Sequence, residues 1–358
     1  MGHKVFIYTL DVPGYKEKDP EIFRFKSIRV IKNPELRQLK PALHLTPIGS
    51  SMAEIMSTKL DVIHAHTPFS IGIMAKNFSK KQKIPMIYTH HTDYPEYVKY
   101  YWKEKYIMPK IAEMYTRWFC NLSDAVIAPS LKIKNYLREY GVNKKIPVHV
   151  LQTGIDLEVF KKSTAKGTAV RNKLNIPSTA KVLICVGRIG QEKNVEFIIR
   201  AFKEVLSGRI DTYLMMVGSG PFLEDLKVMV KNSGLNKKVI FTGNIPHDSI
   251  SDYYNAADVF LFASFTDTQG IVIIEAMACG LPVVALEDDA FSDMVSDGKN
   301  CFLIKKESEK VFAQKVLQLL EDGEMYQNFS ELAVRSAAEF SKENAAKKLV
   351  GIYQSLKR

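Results

Sequence analysis

No run of apolar residues in this sequence reaches the roughly 18 to 20 that a membrane-spanning helix needs, and the N-terminus lacks a signal peptide's apolar core. Cysteine is scarce. Cys120, Cys185, Cys279 and Cys301 are scattered without the spacing of a metal site or a disulfide framework, which points to a reducing cytosol. Gly218 and Gly220 follow an apolar run, but no G-x-G-x-x-G order with a downstream acid is present. That absence speaks against a nicotinamide dehydrogenase. Low-complexity tracts are missing too. With 46% hydrophobic and 25% charged residues over 358 positions, the chain has the composition of a soluble globular protein with room for two cores.

What is present is a lopsided positive charge. Residues 1–160 hold 24 Lys and Arg against 15 Asp and Glu, while the remainder holds 26 against 24. Seven of the eight histidines also fall in the first part. The basic excess therefore belongs to one region and predicts an anionic partner surface there. Nucleic acid fits that charge, but the aromatics are not arranged as a stacking platform on any known module, so no nucleic-acid partner is expected.

Strand and helix patterns alternate along the chain, which predicts two doubly wound α/β domains. The stretch Ser264 to Val284 organises the second. Val259 to Ala263 reads as a buried strand, a polar turn follows, and Ile271 to Cys279 reads as a helix stopped by Gly280-Leu281-Pro282. Asp267 sits in the turn and Glu275 about two turns into the helix. Between them the free amides of Gly270, Ile271 and Val272 open a helix N-terminus, a natural seat for a phosphate. Two carboxylates around an anion seat suit a ligand with both phosphate and hydroxyls, as in a nucleotide sugar. Capping Asp and exposed helical Glu is the blander reading. Earlier, Val182 to Val186 reads as another buried strand, and Gly187-Arg188-Ile189-Gly190-Gln191-Glu192-Lys193-Asn194 as its exit loop. Arg188 and Lys193 flank a Gly-rich turn at a helix start, which is suited to a diphosphate.

In the first domain, Leu60 to His66 and Pro85 to Tyr94 read as strands with histidines at their C-terminal ends. Ligands of open α/β sheets sit outside those ends, which places His66 and His91 for substrate work. The adjacent His90, His91 and Asp93 share no single face of a strand or helix, so no metal site is expected. Residues 94–119 interleave aromatics with cations. Ile107, Met108, Ile111, Met114, Tyr115, Trp118 and Phe119 repeat at helical spacing, predicting an amphipathic helix with a core-facing stripe. The stretch before it carries Tyr97, Lys99, Tyr100, Tyr101, Trp102, Lys103 and Lys105, a composition suited to lipid headgroups.

The stretch from Asp267 to Glu275 resembles the acidic-x7-acidic motif of the retaining glycosyltransferases of family 4, with Asp in place of the usual first Glu. The loop from Gly187 to Asn194 is similar to that family's Gly-Arg-x-x-x-Glu-Lys-Asn. The strand-glycine units ending at Gly218 and at Gly243-Asn244-Ile245 match it as well, as does the His91-Thr92 pair. The segment Gln152-Thr153-Gly154-Ile155-Asp156 looks like the family's Pro-Asn-Gly-x-Asp, with two substitutions. The resemblance covers about residues 2–358. It implies the GT-B fold, with Asp267 and His91 facing the transferred sugar and Glu275 on the donor ribose. By the same resemblance Gly187 and Gly218 line the cleft, and Asn244 and Ile245 contact the base. Gly2-His3-Lys4-Val5 looks like a segment that the family precedes with one more βα unit. Its lack implies either a plain truncation or an uncovered sheet edge that a small companion chain or a second copy could fill.

These readings predict an acceptor-binding domain over 1–158, a nucleotide-sugar-binding domain over 159–340, and a C-terminal helix over 341–358 crossing back. The expected activity is retaining transfer of glucose or galactose from a UDP-sugar to a membrane lipid such as diacylglycerol. His91, Asp267, Arg188 and Lys193 would carry it without cofactor or metal, on the cytoplasmic face of the membrane. A polysaccharide acceptor, or a noncatalytic subunit that binds nucleotide sugar and needs a partner, are the alternatives.

Overall fold

Strands of a parallel sheet are buried on both faces and read as near-continuous apolar runs. Such runs set the architecture of the second half of the chain. The computed structural model describes residues 2–11, 14–29, 42–48, 57–101 and 106–356. It divides into two units, the first made of Met1–Pro129, Ile133–Val150 and Val350–Arg358, the second of Ser130–Lys132 and Leu151–Leu349.

In the first unit, β1 (Ile7–Leu10), β2 (Ile22–Arg29) and β3 (Ala42–Ile48) form one small sheet, with β1 parallel and β3 antiparallel to β2. The apolar residues Val5 and Ile7, at and before the start of β1, are exposed. A second sheet is wholly parallel: β4 (Ile63–Ala65), then α1 (Ser70–Gln82), β5 (Met86–Thr89), α2 (Tyr94–Tyr101), α3 (Ile107–Asn121), β6 (Ala125–Ala128), α4 (Leu131–Glu139) and β7 (Val148–Val150). Its core packs Met86, Tyr88, Val126 and Ala128 against Phe119, Cys120, Ile133 and Leu137.

The second unit carries α5 (Thr164–Lys173), β8 (Lys181–Val186), a 3-10 turn at Gln191–Lys193, α6 (Val195–Gly208), β9 (Thr212–Val217), α7 (Leu223–Asn232), β10 (Val239–Gly243), α8 (His247–Asn255), β11 (Val259–Phe262), α9 (Ile271–Ala278), β12 (Val283–Leu286), β13 (Cys301–Ile304), α10 (Glu309–Glu321) and α11 (Gly323–Ala338). The final helix, α12 (Lys342–Ser355), starts in this unit, and its residues from Val350 count with the first. All six strands are parallel, in the order β10-β9-β8-β11-β12-β13. Alternate residues feed two cores. Val182, Ile184, Phe260 and Phe262 pack on one face with α9, and Leu183, Val259 and Leu261 on the other with α6 and α10. Each fully buried side chain of this size stabilises by about 1.5 to 3 kcal/mol, which makes the sheet a rigid base for its loops.

The chain runs outward from β8 to β9 and β10, then returns to place β11 on the other side of β8. That reversal opens a crevice at the carboxyl ends of β8 and β11. The exit loops of these two strands carry Arg188, Lys193, Asp267 and Gly270.

Candidate active site

The loops of the second unit interlock through their glycines. At Gly218 φ is 132°, and a Cβ there would lie 2.0 Å from the carbonyl oxygen of Gly187. Only glycine fits such an approach. The Gly187 amide bonds the Val217 carbonyl, and the Gly218 amide bonds that of Gly243, so the ends of β8, β9 and β10 are tied side by side. Gly270 turns left-handed at φ 70° to start α9. The first amides of a helix have no carbonyl within it, so Ile271 and Val272 present an electropositive end at the crevice. Asn244 and Ile245 follow β10; Asn244 is exposed and Ile245 packs against the core.

Both expected diphosphate cations hold carboxylates in this structure. Lys193 Nζ donates to the two oxygens of Asp267, each at 2.9 Å. The Arg188 guanidinium donates to Glu192, which is buried. The Glu192 carbonyl accepts from Ser264 Oγ at 3.4 Å and Thr266 Oγ1 at 3.3 Å, joining the β8 and β11 loops. Burial alone would raise the Asp267 carboxyl. Lys193, the Ser264 hydroxyl and Lys132 outweigh it and hold the group below its ordinary value.

Glu275 is not an exposed helical glutamate. It is buried, and its Oε2 accepts from Tyr254 Oη at 2.8 Å. Burial pushes its carboxyl up, only partly offset by Tyr254 and His247. Three contacts around this loop have no local signal in the sequence. Lys132 Nζ reaches Asp288 at 2.6 and 2.9 Å and the Phe265 carbonyl at 2.8 Å. The Gln269 amide clasps the backbone of Thr153 in both directions, at 3.0 and 3.2 Å, and thereby fixes the Gln152-Thr153-Gly154 segment. Tyr254 supports Glu275 from 21 residues away.

In the first unit, β4 delivers His64 and His66, and β5 delivers His90 and His91. His66 Nδ1 and His91 Nε2 share a hydrogen bond of 2.9 Å, and the rings stack at 5.2 Å with an interplanar angle of 20°. His66 in turn lies 4.1 Å, centroid to centroid, from His64. Removal from water, then the neighbouring His66, push His91 down to about 4. His64 is pushed to about 3 by burial and by His66 and His91, so the group is neutral near pH 7. His90 is fully buried, with Nδ1 at 3.1 Å from Tyr88 Oη, and belongs to the core. Asp93 is buried and accepts from Tyr140 Oη at 3.0 Å. Among the described residues no group of three or more His, Cys, Asp or Glu is placed to hold a metal ion.

The core-facing stripe expected on residues 107–119 is corrected here. Ile107, Ile111, Met114 and Trp118 are 61%, 51%, 59% and 45% exposed, whereas Thr116, Phe119 and Cys120 face inward. The helix is apolar over more than one face, and the inward face is set by the sheet beneath it, which periodicity alone does not identify. Before it, Tyr94 packs on Phe69 and His90, leaving Tyr97 half-buried and Lys99 exposed beside Glu96. Tyr100 and Tyr101 end α2, and Trp102, Lys103 and Lys105 lie outside the described residues. No helix among the described residues is long and apolar enough to cross a membrane.

Comparison with known proteins adds to this geometry. Residues 1–159 match the family model described as Glycosyltransferase Family 4, and residues 167–335 that of Glycosyl transferases group 1. An alpha-monoglucosyldiacylglycerol synthase of Streptococcus pneumoniae is 34% identical over 303 residues, covering 83% of this chain and 67% of that protein. One from Acholeplasma laidlawii is 30% identical over 370 residues, covering 99% and 90%. Among solved structures, sucrose-phosphate synthase from Thermosynechococcus elongatus has a TM-score of 0.80 at 22% identity, over 98% of this chain and 88% of that one. Anabaena Alr3699/HepE in complex with UDP and glucose gives 0.77 at 19% identity, over 99% and 100%.

Proposed function

The chain belongs to the GT-B glycosyltransferases with family-4 and group-1 domains, and from that premise we propose that it moves a hexose from a UDP-sugar to diacylglycerol or a similar membrane lipid, with retention at the anomeric carbon. The observation that carries the donor side is the Lys193–Asp267 ion pair, which joins the exit loops of β8 and β11 just before the N-terminus of α9. In the reaction the glycosidic bond to the diphosphate breaks, and negative charge grows on the leaving oxygen. Two fixed cations and a helix N-terminus stabilise that charge, so the leaving group needs no divalent ion. Lys193 exchanges the Asp267 carboxylate for phosphate as donor binds, and the released Asp267 turns to the sugar hydroxyls. Glu275, held at Oε2 by Tyr254, presents Oε1 to the ribose. His91 positions the sugar. No side chain is assigned as nucleophile; the acceptor hydroxyl attacks on the face that the diphosphate leaves, and its proton passes to the departing diphosphate oxygen.

The acceptor side rests on two supports. The relatives at 34% and 30% identity are named for diacylglycerol chemistry. The exposed stripe Ile107, Ile111, Met114 and Trp118, flanked by the exposed cations Lys110 and Arg117, suits a helix lying in an anionic lipid interface. Glucose and galactose donors are separated by one assay. UDP release is measured from each, with and without diacylglycerol in anionic vesicles, in EDTA. Lipid-dependent release that Lys193→Ala abolishes is expected. Release that ignores the lipid, or that requires added metal, would sink the reading.

A further inference from the structure

His64 is tied at both ring nitrogens. Its Nδ1 lies 2.7 Å from the hydroxyl of Tyr353 and its Nε2 lies 2.6 Å from Thr89 Oγ1. Tyr353 comes from the last turns of α12, 289 residues away in sequence, and its ring meets that of His64 edge-on at 5.7 Å and 85°. A histidine side chain has two orientations related by a half-turn of the ring, which exchange nitrogens with carbons. With a partner on each nitrogen, His64 keeps one of them. Its fixed face is the wall against which His66 lies.

We propose that Tyr353 and His64 are positioning residues for the His66–His91 pair, holding the ring orientation that His91 presents to the sugar. In a neutral pair of imidazoles one facing nitrogen donates and the other accepts, so the pair holds only while His66 keeps a nitrogen toward His91. A half-turn of His66 would place a carbon opposite His91 Nε2 and lose the 2.9 Å bond. Thr89, at the end of β5, anchors the brace to the sheet, and Tyr353 anchors it to the terminal helix. All three rings are uncharged near pH 7, so hydrogen-bond geometry rather than charge sets the arrangement. The role rests on the reading that His91 faces the transferred sugar.

Tyr353→Phe removes one hydroxyl and keeps the ring packing. With that variant we expect kcat to fall about threefold to tenfold, the scale of one lost buried hydrogen bond, with KM for the UDP-sugar unchanged. The signature that loss of packing would not give is spectroscopic. Nitrogen-15 spectra of the folded protein should show the His66 Nδ1–His91 Nε2 hydrogen bond in the parent and its weakening in the variant, at an unchanged Tm. His64→Phe, which keeps the wall but drops both bonds, should show the same loss. An unaltered hydrogen bond and kcat in both variants, while His91→Ala abolishes transfer, would overturn the brace and leave the functional reading standing. Should His91→Ala transfer normally, that reading falls, and the spectra alone decide whether the brace exists.

Discussion

The two units build the carboxyl ends of their parallel sheets from opposite materials. The second gathers full charges and keeps each beside a counter-charge: Lys193 with Asp267, Arg188 with Glu192, Lys132 with Asp288. The first gathers imidazoles and keeps them neutral, with His64 and His90 both near 3 and His91 near 4. A diphosphate needs cations already in place, and pairing them with carboxylates in the free protein holds them oriented and partly desolvated. A sugar needs hydrogen-bond donors and acceptors with no charge to distort them, and a neutral imidazole offers one of each.

The largest break in this comparison should come from Lys193→Ala. Loss of a cation aimed at the leaving group should lower kcat by about a hundredfold to a thousandfold. Asp267→Asn should act with the opposite sign on binding: freed of its carboxylate, Lys193 should take UDP severalfold more tightly by calorimetry while transfer falls. Weaker UDP binding in that variant would mean that the ion pair does not compete with the donor.

Acid should separate the units next. Below about pH 6.5 the unfolded chain binds protons that the folded histidines refuse, so stability falls as pH falls toward their folded values. Fully buried His90 alone costs about 2 kcal/mol at pH 5 by this linkage. Asp267, held low, loses its contribution only as pH drops through its own depressed value. The first unit should therefore fail first. Trp118 on α3 belongs to that unit, so a fluorescence transition should precede the loss of UDP binding on acidification. Coincident transitions would contradict the contrast.

A smaller effect is expected on α3. Replacing Ile111 and Trp118 together by Ser should weaken binding to anionic vesicles roughly tenfold, as two side chains no longer enter the interface. UDP affinity should not change. The mildest prediction is a gain. Because burial raises the Glu275 carboxyl, its ionised form opposes folding at neutral pH. Glu275→Gln should lift Tm by about 1 to 3 °C while loosening UDP, a stabilisation at the cost of the ribose contact.

What could be read from the sequence follows the distance between causes. The family, the paired α/β domains and the Gly187–Asn194 and Asp267–Glu275 loops are written in local patterns, an apolar run, a glycine turn and a helix start. Those patterns place Lys193 and Asp267 at strand ends, but not in contact. Their ion pair needs the reversal that makes β8 and β11 neighbours, and the carboxylates on Arg188 and Lys193 were not expected from either loop. Lys132 with Asp288, Tyr254 with Glu275 and Tyr353 with His64 are long-range pairings of ordinary residues and leave no local trace. The stripe on α3 failed for another reason. Its apolar residues cover two faces, and only the packed sheet shows which of them is inside.

The most direct test of the account follows the sugar itself. Protein, labelled UDP-glucose and diacylglycerol vesicles are incubated in EDTA, the lipid is extracted, and the anomeric configuration of the labelled product is read by NMR. The account predicts label in the glycolipid with the α configuration of the donor, and none with Lys193→Ala. Label confined to free glucose, or a β-linked lipid, would contradict it.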